Sequence, residues 1–328
     1  MHSGCDRAKS ETQGSVGGLS ASQRLQAFLK LIRWPNLLMM ALTLWLIRYS
    51  FFQPLDIPVV LGDGQFALLV LSTLCIGAAG YVVNDLYDLE NDRINKPERM
   101  TIGPVFSEDE AWRAFGSLFL AGGLIGLYLG WITGKWGYGS INLITGFWLF
   151  LYASDFKGRP LLGNLLISFL SAGVLTYPLF FDVLPRMPLA ANDPGRIALL
   201  VFTGYFCFAF ALSLLREWVK DLEDVDGDEK MGLRTMPIAW GRRFTSFLAA
   251  VLGLVLAASF GFIAWNAWPG NRMSGLYILL LLAVPCFLIG LRLFGKRGHL
   301  EYRRMSLALK AVMALAILSI PFFTYSSL

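Results

Sequence analysis

The sequence predicts an all-α polytopic membrane protein of about nine transmembrane helices. Three observations carry this. Of its 328 residues 55% are hydrophobic and only 16% are charged, against about 25% charged in a soluble domain. Mean hydropathy is +0.56. The apolar residues gather into runs near the ~20 residues that cross a bilayer once. The same figures exclude a disordered chain, collagen and a disulfide-rich scaffold. Cys75, Cys207 and Cys286 lie inside apolar runs and Cys5 stands alone near the start, so no disulfide framework or zinc cluster is available. With His2 and His299 the only histidines, His-based metal sites and a Ser-His-Asp triad have no residues to draw on. The net charge of +5 reads as Lys and Arg in cytoplasmic loops rather than as a nucleic-acid surface, so no nucleic-acid partner is expected.

Residues 1–21 are Ser- and Gly-rich and are expected to form a disordered tail, leaving 22–328 as one transmembrane domain. From Ser22, Leu25, Phe28, Leu29 and Ile32 recur at helical spacing with Arg24, Lys30 and Arg33 between them, which predicts an interfacial amphipathic helix that Pro35 re-aims into the first span. The nine expected spans are Leu37 to Phe52, Gln65 to Asn84, Ala111 to Thr133, Ser140 to Ala153, Leu161 to Leu184, Ile197 to Leu215, Phe244 to Trp265, Ser274 to Phe294 and Met305 to Tyr325. The first and fourth are short. Turns carry Gly134/Gly137, Pro185/Pro188, Pro194/Gly195 and Pro269/Gly270.

With nine crossings, loops alternate sides and basic residues can be sorted. One side holds only Arg48, Lys135, Arg186, Arg196 and Arg272. The N-terminus and the even-numbered loops hold the remaining Lys and Arg except Lys310, which falls mid-span with no neighbouring acid evident. This asymmetry places the N-terminus and even loops in the cytoplasm.

Acids concentrate in two of those loops. Asp85, Asp88 and Asp92 stand at i, i+3 and i+7, one helix face if the second span extends, with Asn84 just before. Glu217, Asp221, Asp224 and Asp228 stand at i, i+4, i+7 and i+11 after the sixth span. Carboxylates stacked on one face repel unless cations lie between them. Oxygen-only ligands select hard cations, and Mg²⁺ favours a few carboxylates together with phosphate oxygens. Two such stripes on one membrane face suggest a metal-bridged diphosphate, with Arg93, Lys96, Arg99, Lys157, Lys220 and Arg234 as basic partners. The plain alternative is two solvated helix faces at the membrane edge.

These strings resemble the UbiA-type intramembrane prenyltransferases. Asn84-Asp85-x-x-Asp88-x-x-x-Asp92 resembles the family's first Asp-rich motif. Arg216-Glu217-Trp218-Val219-Lys220-Asp221-Leu222-Glu223-Asp224 through Asp228, with Gly232-Leu233-Arg234-Thr235, resembles the second. Leu31 to Asn36, Tyr152 to Lys157 and Leu162-Gly163-Asn164 support it, and the likeness runs from about Arg24 to the C-terminus. Within the family the second motif and Ile94-Asn95-Lys96-Pro97 look most like geranylgeranylglycerol-phosphate geranylgeranyltransferases and their bacterial relatives. The segment Lys96 to Gly103 departs from that pattern.

The resemblance implies helices around a central cavity and Mg²⁺-dependent transfer of a polyprenyl group, geranylgeranyl first, from its diphosphate to a lipophilic acceptor, the hydroxyl of a prenylglycerol phosphate in ether-lipid synthesis, with membrane lipid as a further partner. Asn84, Asp85, Asp88, Asp92, Asp221, Asp224 and Asp228 are the implied metal cluster. Lys157 joins the acids as catalytic, and Arg33, Lys96, Lys220, Arg234, Tyr152 and Asn164 are implied donor-binding residues. Glu217 is either a ligand or the partner of Arg33 or Lys157, and Tyr87 and Tyr152 are candidates to face the cavity. An aromatic acceptor is the alternative within the family. A divalent-cation or anionic-solute transporter is the alternative outside it, although transporter sites lie near the bilayer midplane and these acids lie at span ends.

Overall fold

A computed structural model describes residues 20–95, 97–295 and 298–327. Of the expected tail, residues 1–19 lie outside this range, while Ser20 already caps the first helix. Helix α1 (Ala21–Leu31) is closed at its start by reciprocal bonds between Ser20 and Gln23, the expected amphipathic segment. Pro35 would clash with the carbonyl one turn back, so the chain cannot continue straight. Arg33 takes a left-handed conformation (φ 52°) at the joint, and α2 (Trp34–Trp45), prolonged by a π-helical turn to Phe52, leaves at 61° to α1.

The chain then forms α3 (Asp63–Tyr87), α4 (Leu89–Asn95), α5 (Glu108–Ile132), the single turn α6 (Trp136–Gly139), α7 (Ile141–Leu151) and α8 (Leu162–Gly173). After these come α9 (Gly195–Lys230), α10 (Met236–Trp240), α11 (Arg242–Ala267), α12 (Arg272–Ile278), α13 (Val284–Leu293), α14 (His299–Leu318) and α15 (Ile320–Ser327). Among the described residues six helical spans are long and apolar enough to cross a membrane, and up to eight if each of two bent pairs is one span. The fifth expected span is one of these pairs, bent by 44° between Leu162–Thr176 and Leu179–Arg186, where Pro178 interrupts the ladder. The fourth, Ile141 to Phe156, is the short helix the sequence also made short.

Small residues let the helices approach closely, the usual device where lipid removes the hydrophobic drive for helix pairing. A Cβ on Gly130 would lie 2.6 Å from Gly139 Cα, locking α5 onto α6. A Cβ on Gly253 would lie 3.1 Å from Gly290 Cα, joining α11 to α13. Ser72 Oγ donates to the Gly122 carbonyl at 2.6 Å, tying α3 to α5. At the end opposite the acid motifs, Arg48 Nη1 meets the fully buried Asp182 at 2.8 Å, and Asp182 also accepts from the amides of Val60 and Leu61. That end is therefore closed by a satisfied ion pair. Helix α9 packs against α8, α11 and α14. At ~1.5 Å per residue its 36 residues run about 54 Å, well past a hydrocarbon core of about 30 Å.

Candidate active site

Helix α3 brings Asn84 and Asp85 to the membrane edge, but it stops at Tyr87 instead of running on through Asp92 as expected. Asp88 forms the joint and α4 restarts at Leu89. The helical bonds still cross it, from the Asp88 amide to the Asn84 carbonyl (3.0 Å) and from the Asp92 amide to the Asp88 carbonyl (2.8 Å). Asn84 Nδ2 donates to Asp88 Oδ2 at 2.9 Å and so orients that carboxylate. Arg33, thrown inward by the bend between α1 and α2, donates to Asp85 Oδ1 at 2.8 Å and lies over the Tyr81 ring, 4.9 Å from its centre.

Lys157 reaches the same acids from the other side. Tyr152–Phe156 is a π-helical turn, so the Lys157 amide bonds to the Tyr152 carbonyl (2.9 Å) and the side chain is re-aimed relative to an α-helix. Its ammonium pairs with Asp88 and sits 3.5 Å from Asn84 Oδ1. The chain then folds back so tightly that a Cβ on Gly163 would lie 2.4 Å from the Phe156 carbonyl oxygen. This return sets Asn164 at the start of α8, where its Nδ2 donates to Asp221 Oδ2 at 2.9 Å.

Helix α9 carries the second acid set without a break. Glu217, Asp221, Asp224 and Asp228 all lie within it, Glu217 and Asp228 buried. Lys157 and Lys220 place their charges near Asp228, and Lys220 also faces Glu217, Asp224, Arg33 and Arg216. Tyr152 stands among Glu217, Asp221, Asp88 and Arg33 and so touches the field of both helices. Lys157, paired with Asp88 on one side and facing Asp228 on the other, spans the gap between the two motifs.

The other expected residues have surroundings of their own. Glu217 pairs with neither Arg33 nor Lys157; its partner is the adjacent Arg216, at 3.0 Å. Asp224 groups with Glu223 and the exposed His299, their ligand atoms within 4.8 Å of one another. Arg93 turns to Glu108 on α5, 3.9 Å away. Tyr87 is exposed and packs edge-on against Trp112 and Phe150, an aromatic belt rather than a cavity wall. Asp92 is half-buried on α4 and engaged in contacts. Arg234 is exposed in the loop after α9. Lys96 and the Arg99 side chain lie outside the described residues. Lys310 does have a partner that the sequence did not reveal, Asn36 Oδ1 at 2.8 Å.

The donor set suits a hard cation. Asn84, Asp85, Asp88, Asn164, Asp221 and Asp228 offer only oxygen or amide groups, and a lysine ammonium already sits against Asp88 and Asn84 where positive charge is wanted. Beneath this polar end opens an apolar cavity of about 680 Å³, walled by α2, α8, α9, α11 and α14 and including Met39, Phe208, Leu212, Phe260 and Met313.

Residues 37–316 match the UbiA prenyltransferase family. A digeranylgeranylglyceryl phosphate synthase from Methanothermobacter thermautotrophicus is 31% identical over 303 residues, 90% of this chain and 95% of that protein. A solved structure from work on a digeranylgeranylglyceryl phosphate synthase has a TM-score of 0.64 at 22% identity, covering 92% of this chain and 98% of that one. A UbiA homologue from Archaeoglobus fulgidus, solved with DMAPP and Mg²⁺, has a TM-score of 0.53 at 13% identity, covering 90% and 99%. The two structures speak for the fold. The family match across most of the length, together with a relative this similar along nine-tenths of the chain, makes this polytopic membrane protein a member of the UbiA prenyltransferase family.

Proposed function

We propose that this membrane prenyltransferase moves a polyprenyl group, geranylgeranyl in the first instance, from its diphosphate to the hydroxyl of a prenylglycerol phosphate in ether-lipid synthesis. The observation that carries this reading is the facing of two acid-bearing helices across Lys157 and Tyr152, with an apolar cavity along the preceding part of α9, up to Leu212. The named activity of the Methanothermobacter relative supports the acceptor.

Asn84, Asp85, Asp88, Asp92, Asp221, Asp224 and Asp228 are the residues that would hold Mg²⁺. When bound, Mg²⁺ offsets the charge gathering on the departing diphosphate. Lys157 and Arg33 bind diphosphate oxygens, Lys220 adds charge from α9, and Lys96 and Arg234 are further basic residues for the same anion. Asn84 and Asn164 each orient a carboxylate. The allylic C–O bond breaks with its electron pair leaving on the diphosphate, the acceptor oxygen forms the new C–O bond, and that oxygen loses its proton. The apolar cavity keeps water from capturing the allylic carbon first. The domain comprises residues 22–328, and its N-terminus and both Asp-rich loops face the cytoplasm, as the sorting of Lys and Arg implies.

Purified protein given geranylgeranyl diphosphate, geranylgeranylglyceryl phosphate and Mg²⁺ should yield the diether phosphate by mass spectrometry. Asp88→Ala and Asp221→Ala should each abolish it while the protein still inserts. Full turnover in EDTA, or transfer only to an aromatic acid, would sink the reading.

A further inference from the structure

We infer that Lys310, Arg216 and Asn36 form a second anion subsite, separate from the Asp-rich centre, that receives the phosphate of an isoprenoid-tailed phosphate monoester whose tail lies in the apolar cavity. The inference rests on the acceptor proposed above.

The helix register places these three residues together. On α2, Asn36 stands three residues before Met39 of the cavity wall. Arg216 on α9 stands four after Leu212, and Lys310 on α14 three before Met313. Residues three or four apart share a helix face. On each helix the step from wall to polar residue runs toward the acid-bearing end. The Lys310 Nζ to Asn36 Oδ1 bond of 2.8 Å closes the ring between α14 and α2. The cavity therefore ends in a polar collar one turn above its lining.

The collar has excess positive charge. A charge within a spanning helix is costly and normally serves a purpose. Lys310 pairs with no carboxylate among the described residues, and the charges it faces, Arg216 and Arg33, have its own sign. Arg33 lies against Asp85 and belongs to the Asp-rich centre. Arg216 has Glu217 on one nitrogen, but its Nε is buried with no hydrogen-bond partner. A buried donor left unpaired is expensive. One phosphate monoester supplies what is missing: acceptor oxygens for that N–H and for the Lys310 ammonium, on a molecule whose tail matches the walls. The donor diphosphate has its own cradle at Lys157 and Asp88, reached from α7 rather than from α14.

The test is binding in phosphatidylcholine nanodiscs without donor or metal, so bulk anionic lipid is absent. Wild-type protein should bind geranylgeranylglyceryl phosphate roughly tenfold to a hundredfold more tightly than geranylgeranylglycerol, the range of a charge-assisted bond. Lys310→Met should remove most of that preference, and Lys310→Arg should restore it; Arg216→Gln should act in the same direction. Since Lys310 is exposed, the Met variant should keep its melting temperature. No preference in the wild type overturns the subsite, as does a Lys310→Met variant that loses geranylgeranyl diphosphate instead. Lys310-dependent binding of the phosphate ester without any transfer to it would remove the proposed reaction and keep the subsite.

Discussion

Lys157 is the side chain on which the two acid sets meet. It is half-buried, pairs with Asp88 and lies close to Asp228, in a gap where a donor diphosphate would bring more negative charge. Lys157→Ala should raise the donor KM about tenfold to a hundredfold, the worth of roughly 1.5–3 kcal/mol for a charge-assisted contact in a partly dry site. Its melting temperature should move less than the donor KM, since Asp88 keeps its bond from Asn84 when the ammonium is removed. An unchanged donor KM with a lowered melting temperature would make Lys157 a snorkelling residue. At this scale the sequence was informative wherever a residue's spacing implied its neighbours. The carboxylates and Lys157 were visible because they end predicted spans. Arg216 was not, because it sits beside Glu217 inside a motif and reads as one more loop cation. Lys310 stood out as anomalous, yet its partner Asn36 is 274 positions away and no local pattern points to it.

Elements were legible in proportion to how far their pattern is local. The i, i+4, i+7, i+11 spacing on α9 lies in one unbroken helix. The break at Asp88 was hidden, because Asn84 to Asp92 contains neither Gly nor Pro to announce it. The bend in the fifth span was masked because its apolar run continues across Pro178. Least visible was the π-helical turn that aims Lys157, since a wider turn has no composition of its own. That turn and the return into α8 depend on Gly163, where a methyl group would meet the rigid Phe156 carbonyl at 2.4 Å. Gly163→Ala should therefore cost about 1–3 kcal/mol of stability, as overpacking does. It should also depress transfer beyond the loss of folded protein, because Lys157 and Asn164 flank the strained turn. Gly173→Ala, on the same helix with nothing within 4 Å of the new methyl, should leave the melting temperature level or higher. Equal effects of the two substitutions would mean that α8 responds to any lost glycine and that the turn is not what positions the site.

For the molecule as a whole, orientation decides whether the two acid sets can share one substrate. Helices α3 and α9 run in the same sense, each starting at the end closed by Arg48 and Asp182 and delivering its acids at the other. Helix α5 runs oppositely and carries Trp136 beyond it to the far side. The Lys and Arg sorting is what supports the proposed placement of the acid-bearing side in the cytoplasm, because cationic loops are retained there during insertion. In a Cys-free background, Asp226→Cys and Glu98→Cys should react with a membrane-impermeant maleimide only after the cytoplasmic face is opened. Trp136→Cys, exposed at the opposite end, should react in intact cells. The three together separate distinct failures. Reversal of all three would put the acids outside, away from a cytoplasmic supply of prenyl diphosphate. Asp226 and Glu98 on opposite sides would mean that α3 and α9 do not deliver to one face, and no diphosphate could then bridge them.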